Sequence, residues 1–437
     1  MDDLRHTPSR RSVVEGLSRE RREDHTGSEM MRWRKLLIIT PTMILIAVVA
    51  VLFYPFYSDR QPPLIDVSLS SNFFSFKLNG HMRVVDLKAG VKEVVVRIES
   101  EEGFKQVVFA GKGRKREINR DLSFNIQFVP EGRYKLVLEA KDASIWRNSA
   151  SRQISFIVDH TPPDVLISLK PRRPKQGGTL AVYVNVNERA ISDYSVIDPN
   201  VFRRSSLQLY ELKSRGKGYR YEAILGLSTE ARVGRSSIFI SFVDPAGNRA
   251  YERSDFQVRS SSFEIGVVNL PKEKLRLLTD RSLAEEDDLK LRGVREMEGS
   301  GEKLWNGRFI MPVRGPISSS FGKFRVYNNG LARSRHMGVD IVAKAGTPVK
   351  AANSGMVLFA DRLNIHGNAV IIDHGLGVRS HYYHLQKILV KQGDRVEKGE
   401  TVGLVGSTGR ASGPHLHWGM EVDGVFVDPI EWTRYEF

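Results

Sequence analysis

An uncharged apolar run from Leu36 to Ser58 constrains this chain before anything else does. Its core reads LLIITPTMILIAVVAVLFYPFY, roughly 22 residues, and about 20 suffice to cross the hydrocarbon layer of a bilayer. Arg32, Arg34 and Lys35 precede the run, Trp33 stands at its near end, and Tyr54, Phe56 and Tyr57 stand at its far end, where interfacial aromatics settle. The charge bias predicts a single-pass helix over 36–57 in the cytoplasmic (inner) membrane, with residues 1–35 inside and residues 59–437 extracytoplasmic, in a periplasm where there is one. A cleaved signal peptide is the competing reading. Against it, the run is long, 35 residues lead into it, and no small-x-small site follows before Asp59. The first 35 residues carry nine Lys/Arg, seven Asp/Glu and few large apolar side chains, and are expected to be a disordered tail.

Among the 437 residues there is no cysteine. That excludes a disulfide framework, a thiolate nucleophile and any metal site built on Cys, and directs a search for metal ligands to His, Asp and Glu. Four of the eleven histidines lie before residue 161, and the other seven lie between His336 and His417. The net charge of +15 suits a polyanionic partner or a membrane face. The basic residues are dispersed, so no nucleic-acid partner is expected.

The chain reads as mainly β beyond the apolar run. Residues 64–159 alternate apolar and polar side chains, with strands expected at Val94–Glu99, Phe124–Phe128, Tyr134–Ala140 and Ile154–Val158. Residues 164–258 repeat the theme at Val165–Leu169, Leu180–Val186, Tyr219–Leu225 and Ile238–Val243. Aspartate turns at Asp142 and Asp244 each lead into a final strand. Two tandem β-sandwich modules are therefore expected, and they resemble bacterial immunoglobulin-like domains; a spacer role is the plainer reading and a binding role the other. Residues 259–304 read as a helical connector, with Leu275, Leu278, Leu283, Leu289 and Val294 spaced among dense charges.

Residues 305–437 are strand-rich again and carry four short signals: His336-Met-Gly-Val-Asp340, Tyr382-Tyr-His384-Leu385, the glycine-rich stretch Gly406–Pro414, and His415-Leu-His417. On a strand, His415 and His417 project to one face. Imidazole and carboxylate are the ligands Zn²⁺ takes when thiolate is absent, and two His with one Asp leave a position for water, the catalytic pattern. Each signal alone is weak, because a His-x-His pair on a strand is more often exposed or hydrogen-bonded than ligating. Their order and spacing together carry the weight.

These residues, with Gly393-Asp-Arg-Val-Glu-Lys-Gly399, Ser320-Phe-Gly322 and Asp428-Pro429, resemble the lysostaphin/LytM-type zinc metallopeptidases, a family of peptidoglycan endopeptidases. The resemblance covers about residues 305–432 and implies a compact, mainly antiparallel β domain with a groove over the metal. It implies Zn²⁺ held by His336, Asp340 and His417, with His384 and His415 as uncoordinated catalytic histidines. Of these, His415 is favoured as general base and His384 as oxyanion stabiliser; Tyr327 is a candidate for a groove tyrosine. His366, His374 and His381 are left as bystanders, with His381 expected to face away from His384. The function implied is a membrane-anchored zinc metalloendopeptidase cleaving peptidoglycan cross-links during cell-wall remodelling, with cell-wall or division proteins as candidate partners. The alternative is a non-hydrolytic regulator that activates a separate cell-wall amidase, as relatives that have lost ligands do.

Overall fold

The computed structural model describes residues 38–203, 205–212, 218–297 and 299–437. The expected tail, 1–35, lies outside the described residues. The chain is mainly β, and divides into two compact units, Met1–His160 and Thr161–Phe437.

In the first unit, the helix Ile38–Ser58 spans 21 residues, is long and apolar enough to cross a membrane, and buries none of its apolar window in the protein. Beyond it, a three-stranded sheet runs in the order Leu64–Leu69, Lys77–Val85, Glu117–Asn125. A five-stranded sheet runs Phe73–Phe74, Ser149–Val158, Gly132–Asp142, Val91–Ser100, Lys105–Lys115. Alternation makes the core. Val94, Val96 and Ile98 point inward and pair across the sheet with Ala140, Leu138 and Leu136, and meet Leu78, Met82 and Val84 of the smaller sheet. Burying each such side chain stabilises by about 1.5–3 kcal/mol relative to exposure. The strand expected over Phe124–Phe128 ends at Asn125; the chain then turns, with the Val129 amide bonding the Ile126 carbonyl, and Phe128 is left 90% exposed.

The second unit begins with a four-stranded sheet, ordered Tyr210–Leu212, Tyr219–Gly226, Thr179–Val186, Val165–Lys170, and a three-stranded sheet, ordered Ile191–Ile197, Gly234–Val243, Arg249–Val258. Leu180, Val182 and Val184 fill the core of this pair. Ala181 and Ile224, on the opposite face, join the core of the C-terminal region instead. That junction is also polar: Trp432 Nε1 donates to Thr179 Oγ1 at 3.1 Å, and Lys175 Nζ lies 2.9 Å from Asp428 Oδ2.

Within 259–304, the strand Ile265–Val268 comes first and pairs in parallel with Phe324–Tyr327. The helices Arg276–Thr279 and Arg281–Glu296 follow, the second capped by Asp280, whose side chain accepts from the Ser282 amide. The C-terminal region is built on an eight-stranded sheet. At its centre run Val339–Val342, His415–Val422, Val378–Leu385, Gly367–Gly375 and Gly355–Leu363, in that order. Beneath it lies a core around Trp305, Phe309, Trp418 and Trp432, all under 5% exposed.

Candidate metal centre and active site

The three central strands set the site. Asp340 on Val339–Val342 is the direct cross-strand partner of His417, and His417 is in turn opposite Tyr383 on Val378–Leu385. Directly opposed residues share a face of the sheet, so a carboxylate, an imidazole and a phenol stand in one row. Tyr383 stacks on His417 with ring centroids 5.5 Å apart and planes 10° from parallel. His336 enters from the segment before the first of these strands. Gly338 makes that approach possible: a Cβ there would lie 2.5 Å from the Trp418 carbonyl oxygen and 2.7 Å from His417 Nε2.

His336, Asp340 and His417 are all under 9% exposed and could jointly hold a metal ion. His336 Nε2 is 3.0 Å from Asp340 Oδ1 and 2.9 Å from His417 Nδ1, and His417 Nδ1 is 3.0 Å from Asp340 Oδ1. The tautomer of His336 follows from its other nitrogen. Nδ1 lies 2.9 Å from the Ser320 carbonyl oxygen, which can only accept, so Nδ1 carries the proton. Neutral His336 then turns a lone pair toward a carboxylate oxygen and a second ring nitrogen. Such a convergence of acceptors is favourable around a cation. Neutral imidazoles and one carboxylate, with no thiolate, are a donor set that fits zinc.

The surroundings hold these three side chains in the protonation states that a metal would require. Burial pushes Asp340 up, but its contacts with His336 and His417 outweigh this and hold it well below the usual carboxylate range. Burial also lowers His336, against the pull of Asp340, and lowers His417 to about 4. Arg325 Nη2 donates to Asp340 Oδ2 and, at 2.8 Å, to Ser319 Oγ. Sequence reasoning missed Arg325, because an Arg on a short strand carries no local signal of what it will face. It also missed Tyr383, which strand alternation opposite His417 would have flagged once the register was known.

His384 and His415 face each other beside the cluster, ring centroids 5.0 Å apart. The glycine-rich stretch before His415 fixes both. His384 Nδ1 donates to the Thr408 carbonyl at 2.8 Å, and His415 Nδ1 donates to the Gly413 carbonyl at 2.8 Å. Each ring therefore keeps Nε2 as its lone-pair atom. His415 Nε2 lies 3.7 Å from Asp340 Oδ1. Burial, with the neighbouring imidazoles of His415 and His417, holds His384 well below its ordinary value. The turn that brings these carbonyls in requires glycine at 409, where φ is +68° and a Cβ would meet the Gly367 amide nitrogen at 2.4 Å.

One of the bystander histidines, His381, sits differently from expectation. His384 has φ +65°, which breaks strand alternation, so His381 and His384 both line the same cleft rather than opposite faces. His381 Nδ1 is 2.8 Å from Tyr383 Oη, and its Nε2 is 2.9 Å from Glu421 Oε2, a pairing that supports the tyrosine stacked on His417. His374 is fully buried in the core, bonded at 2.7 Å to both the Ser354 carbonyl and Ser380 Oγ. His366 packs on Tyr383 at 4.3 Å between ring centroids.

The cleft over the cluster has a volume of about 740 Å³ and is lined by Tyr327, Arg335 and Arg410 as well as His336, His366, His381, His384 and His417. The helix Arg281–Glu296 forms one wall of it. That helix is fastened by Asp287, which accepts from the Asn364 and Ile365 amides at 2.6 and 2.7 Å. The segment before it is fastened by Lys274, whose ammonium donates to the Ser407 and Ala411 carbonyls at 2.7 and 2.9 Å.

Comparison with known proteins agrees with this chemistry. Residues 334–429 match the model of Peptidase family M23. The DD-carboxypeptidase/endopeptidase Mpg of Neisseria meningitidis serogroup B (strain ATCC 13091 / M2091) is 43% identical over 114 residues, 26% of this chain and 26% of the relative. The peptidoglycan DD-endopeptidase ShyC of Vibrio cholerae serotype O1 is 41% identical over 113 residues, again 26% of each chain. Both matches thus span about a quarter of the relatives' length. Among solved structures, a putative peptidase M23 from Pseudomonas aeruginosa is similar over 61% of this chain and 96% of that one, with 26% identity and a TM-score of 0.40.

Proposed function

We propose that the Peptidase family M23 domain at the C-terminus of this chain is a zinc metalloendopeptidase that hydrolyses D,D peptide cross-links of peptidoglycan. The observation that carries the reading is the convergence of His336 Nε2, His417 Nδ1 and Asp340 Oδ1 within 3.0 Å of one another, beside two histidines whose Nε2 atoms are kept as lone pairs. The names of the relatives support the substrate, and the intact donor set favours hydrolysis over a purely regulatory role.

His336, Asp340 and His417 would hold the metal. Zinc bound there supplies Lewis acidity toward the scissile carbonyl and toward water. The protein's own part is proton handling. His415 accepts the proton of the attacking water at Nε2 and returns it to the leaving amine; the Asp340 carboxylate at 3.7 Å stabilises the imidazolium in between. His384 can donate from Nε2 only when protonated, which its burial opposes. We therefore assign it to accepting a hydrogen bond from the water and orienting it, instead of the oxyanion role expected from the sequence. Arg335 and Arg410 on the cleft wall suit the carboxylates of peptide stems.

The helix Ile38–Ser58 is read as an uncleaved anchor, with Arg32, Arg34 and Lys35 on the cytoplasmic side and the peptidase on the side where peptidoglycan lies. The test is to incubate the purified, zinc-loaded full chain with labelled sacculi. Release of soluble muropeptides without any added amidase is expected. Release only when an amidase is present would replace this reading with the regulatory one.

A further inference from the structure

A second cluster of ionisable groups lies far from this chemistry in sequence, within the first unit. Asp59 directly follows the apolar helix, Asp86 directly follows the strand Lys77–Val85, and Asp142 ends the strand Gly132–Asp142. Their exposures are 2, 6 and 0%. One oxygen from each lies within 4.8 Å of the others. No basic side chain pairs with any of the three among the described residues.

Five of the six carboxylate oxygens accept hydrogen bonds from described residues. Asp142 Oδ1 accepts from the Ser144 amide and hydroxyl, and its Oδ2 accepts from Asn148 Nδ2 at 2.7 Å. Asp59 Oδ1 accepts from the Gln61 amide and Oδ2 from the Ala89 amide. Asp86 Oδ1 accepts from the amides of Lys88, Ala89 and Gly90 at 3.0–3.1 Å. Asp86 Oδ2 is buried and, among the described residues, has no hydrogen-bond partner. Buried carboxylate oxygens are normally satisfied, and an orphan among two further carboxylates needs an explanation. Burial and the neighbouring Asp59 and Asp142 carboxylates push the Asp86 carboxyl above its ordinary value; a cation between the three offsets that repulsion and fills the vacant acceptor.

We propose that Asp59, Asp86 and Asp142 form a divalent-cation site at the junction between the apolar helix and the first β sandwich, and that the ion it takes is Ca²⁺. All the ligand atoms are hard oxygens, with no imidazole or sulfur, which disfavours zinc and other transition metals. Ca²⁺ tolerates the irregular, water-completed coordination that three carboxylates from separate segments give, whereas Mg²⁺ demands near-ideal octahedral geometry. The consequence is mechanical. The loop between Asp142 and Asn148 already clasps the end of the helix, through the Ile145 amide to the Phe56 carbonyl and Trp146 Nε1 to the Tyr57 carbonyl. Asn148 Nδ2 donates to the Asp59 carbonyl at 3.1 Å. An ion bridging Asp59 to Asp86 and Asp142 would lock the helix exit onto the sandwich and fix the direction in which the chain leaves the membrane.

The test uses the full chain in detergent, with the peptidase domain zinc-loaded and Ca²⁺ removed by dialysis. Equilibrium dialysis against radiolabelled Ca²⁺ should show saturable binding with Kd at or below about 10⁻³ M, the range of extracellular calcium modules. Asp86→Asn keeps an acceptor for the three amides but replaces the orphan oxygen by NH₂; it should weaken Ca²⁺ binding at least tenfold and abolish any rise in melting temperature caused by Ca²⁺. Hydrolysis of sacculi by this variant should match wild type. If Asp86→Asn fails to fold, Asp59→Asn serves in its place with the same expectation. Absence of saturable binding by the wild-type chain, or undiminished binding by the folded variant, would overturn the proposal.

Discussion

Asp340 and His417 are direct cross-strand partners, with Asp340 Oδ1 3.0 Å from His417 Nδ1. Sheet register alone thus brings together two groups 77 positions apart. The relationship makes the site a property of the sheet, and its weak points are where the sheet allows no extra volume.

Gly338 is the first such point. In Gly338→Ala, the new methyl meets backbone of Trp418 and the ring of His417 at under 3 Å. Backbone cannot yield cheaply, so the strand before Asp340 must shift. We predict a loss of about 1–3 kcal/mol in stability and at least a tenfold loss of zinc affinity, read by chelator competition.

Arg325 holds the oxygen of Asp340 that faces away from the histidine pair. Arg325→Ala leaves that oxygen without its charged donor, and Arg325→Lys restores charge but not the second bond to Ser319. Removing a group that orients a ligand typically costs about 10–100-fold in metal affinity or activity. The alanine variant should fall in that range and the lysine variant between it and wild type, in the same competition assay.

His384→Ala and His415→Ala should each abolish muropeptide release, by roughly 10²-fold or more, while zinc content measured by elemental analysis stays at one per chain. Loss of the metal in either variant would move that histidine into the ligand set.

His374 supplies the pH prediction, since it lies away from the proposed metal ligands. Burial lowers it from 6.5 to about 4, so the folded chain keeps it neutral where the unfolded chain begins to protonate. Its stabilising contribution is complete above pH 6.5 and is lost as pH falls from there toward 4, up to about 3 kcal/mol in all. The melting temperature of wild type should therefore fall more steeply with acidification through this window than that of His374→Gln. Equal slopes would show that the histidine does not carry the effect.

Much of the fold was legible because strand alternation is a local signal: Val94, Val96 and Ile98 announce a buried face without any knowledge of their partners. The edges were less legible. Phe128 continues an apolar pattern yet lies in a turn, and Ile265–Val268 becomes a strand only because Phe324–Tyr327 is there to receive it. At the site, the motifs and the family resemblance they carry singled out the five residues His336, Asp340, His384, His415 and His417. It could not reveal the orientation of His384, because a left-handed residue overrides the alternation by which His381 was assigned to the other face. Nor could it reveal Arg325, Ser320 or Thr408, whose parts depend on long-range placement of a guanidinium and two carbonyls.

The central claim is that His336, Asp340 and His417 hold a zinc ion with which the domain cuts D,D cross-links. Mass spectrometry of muropeptides released from sacculi by the zinc-loaded full chain tests it most directly, run beside a chelated sample and Asp340→Ala. The account predicts monomers from cleaved D,D cross-links with the wild-type protein and intact dimers in the other two samples. Cleavage that persists after chelation or in Asp340→Ala would contradict it.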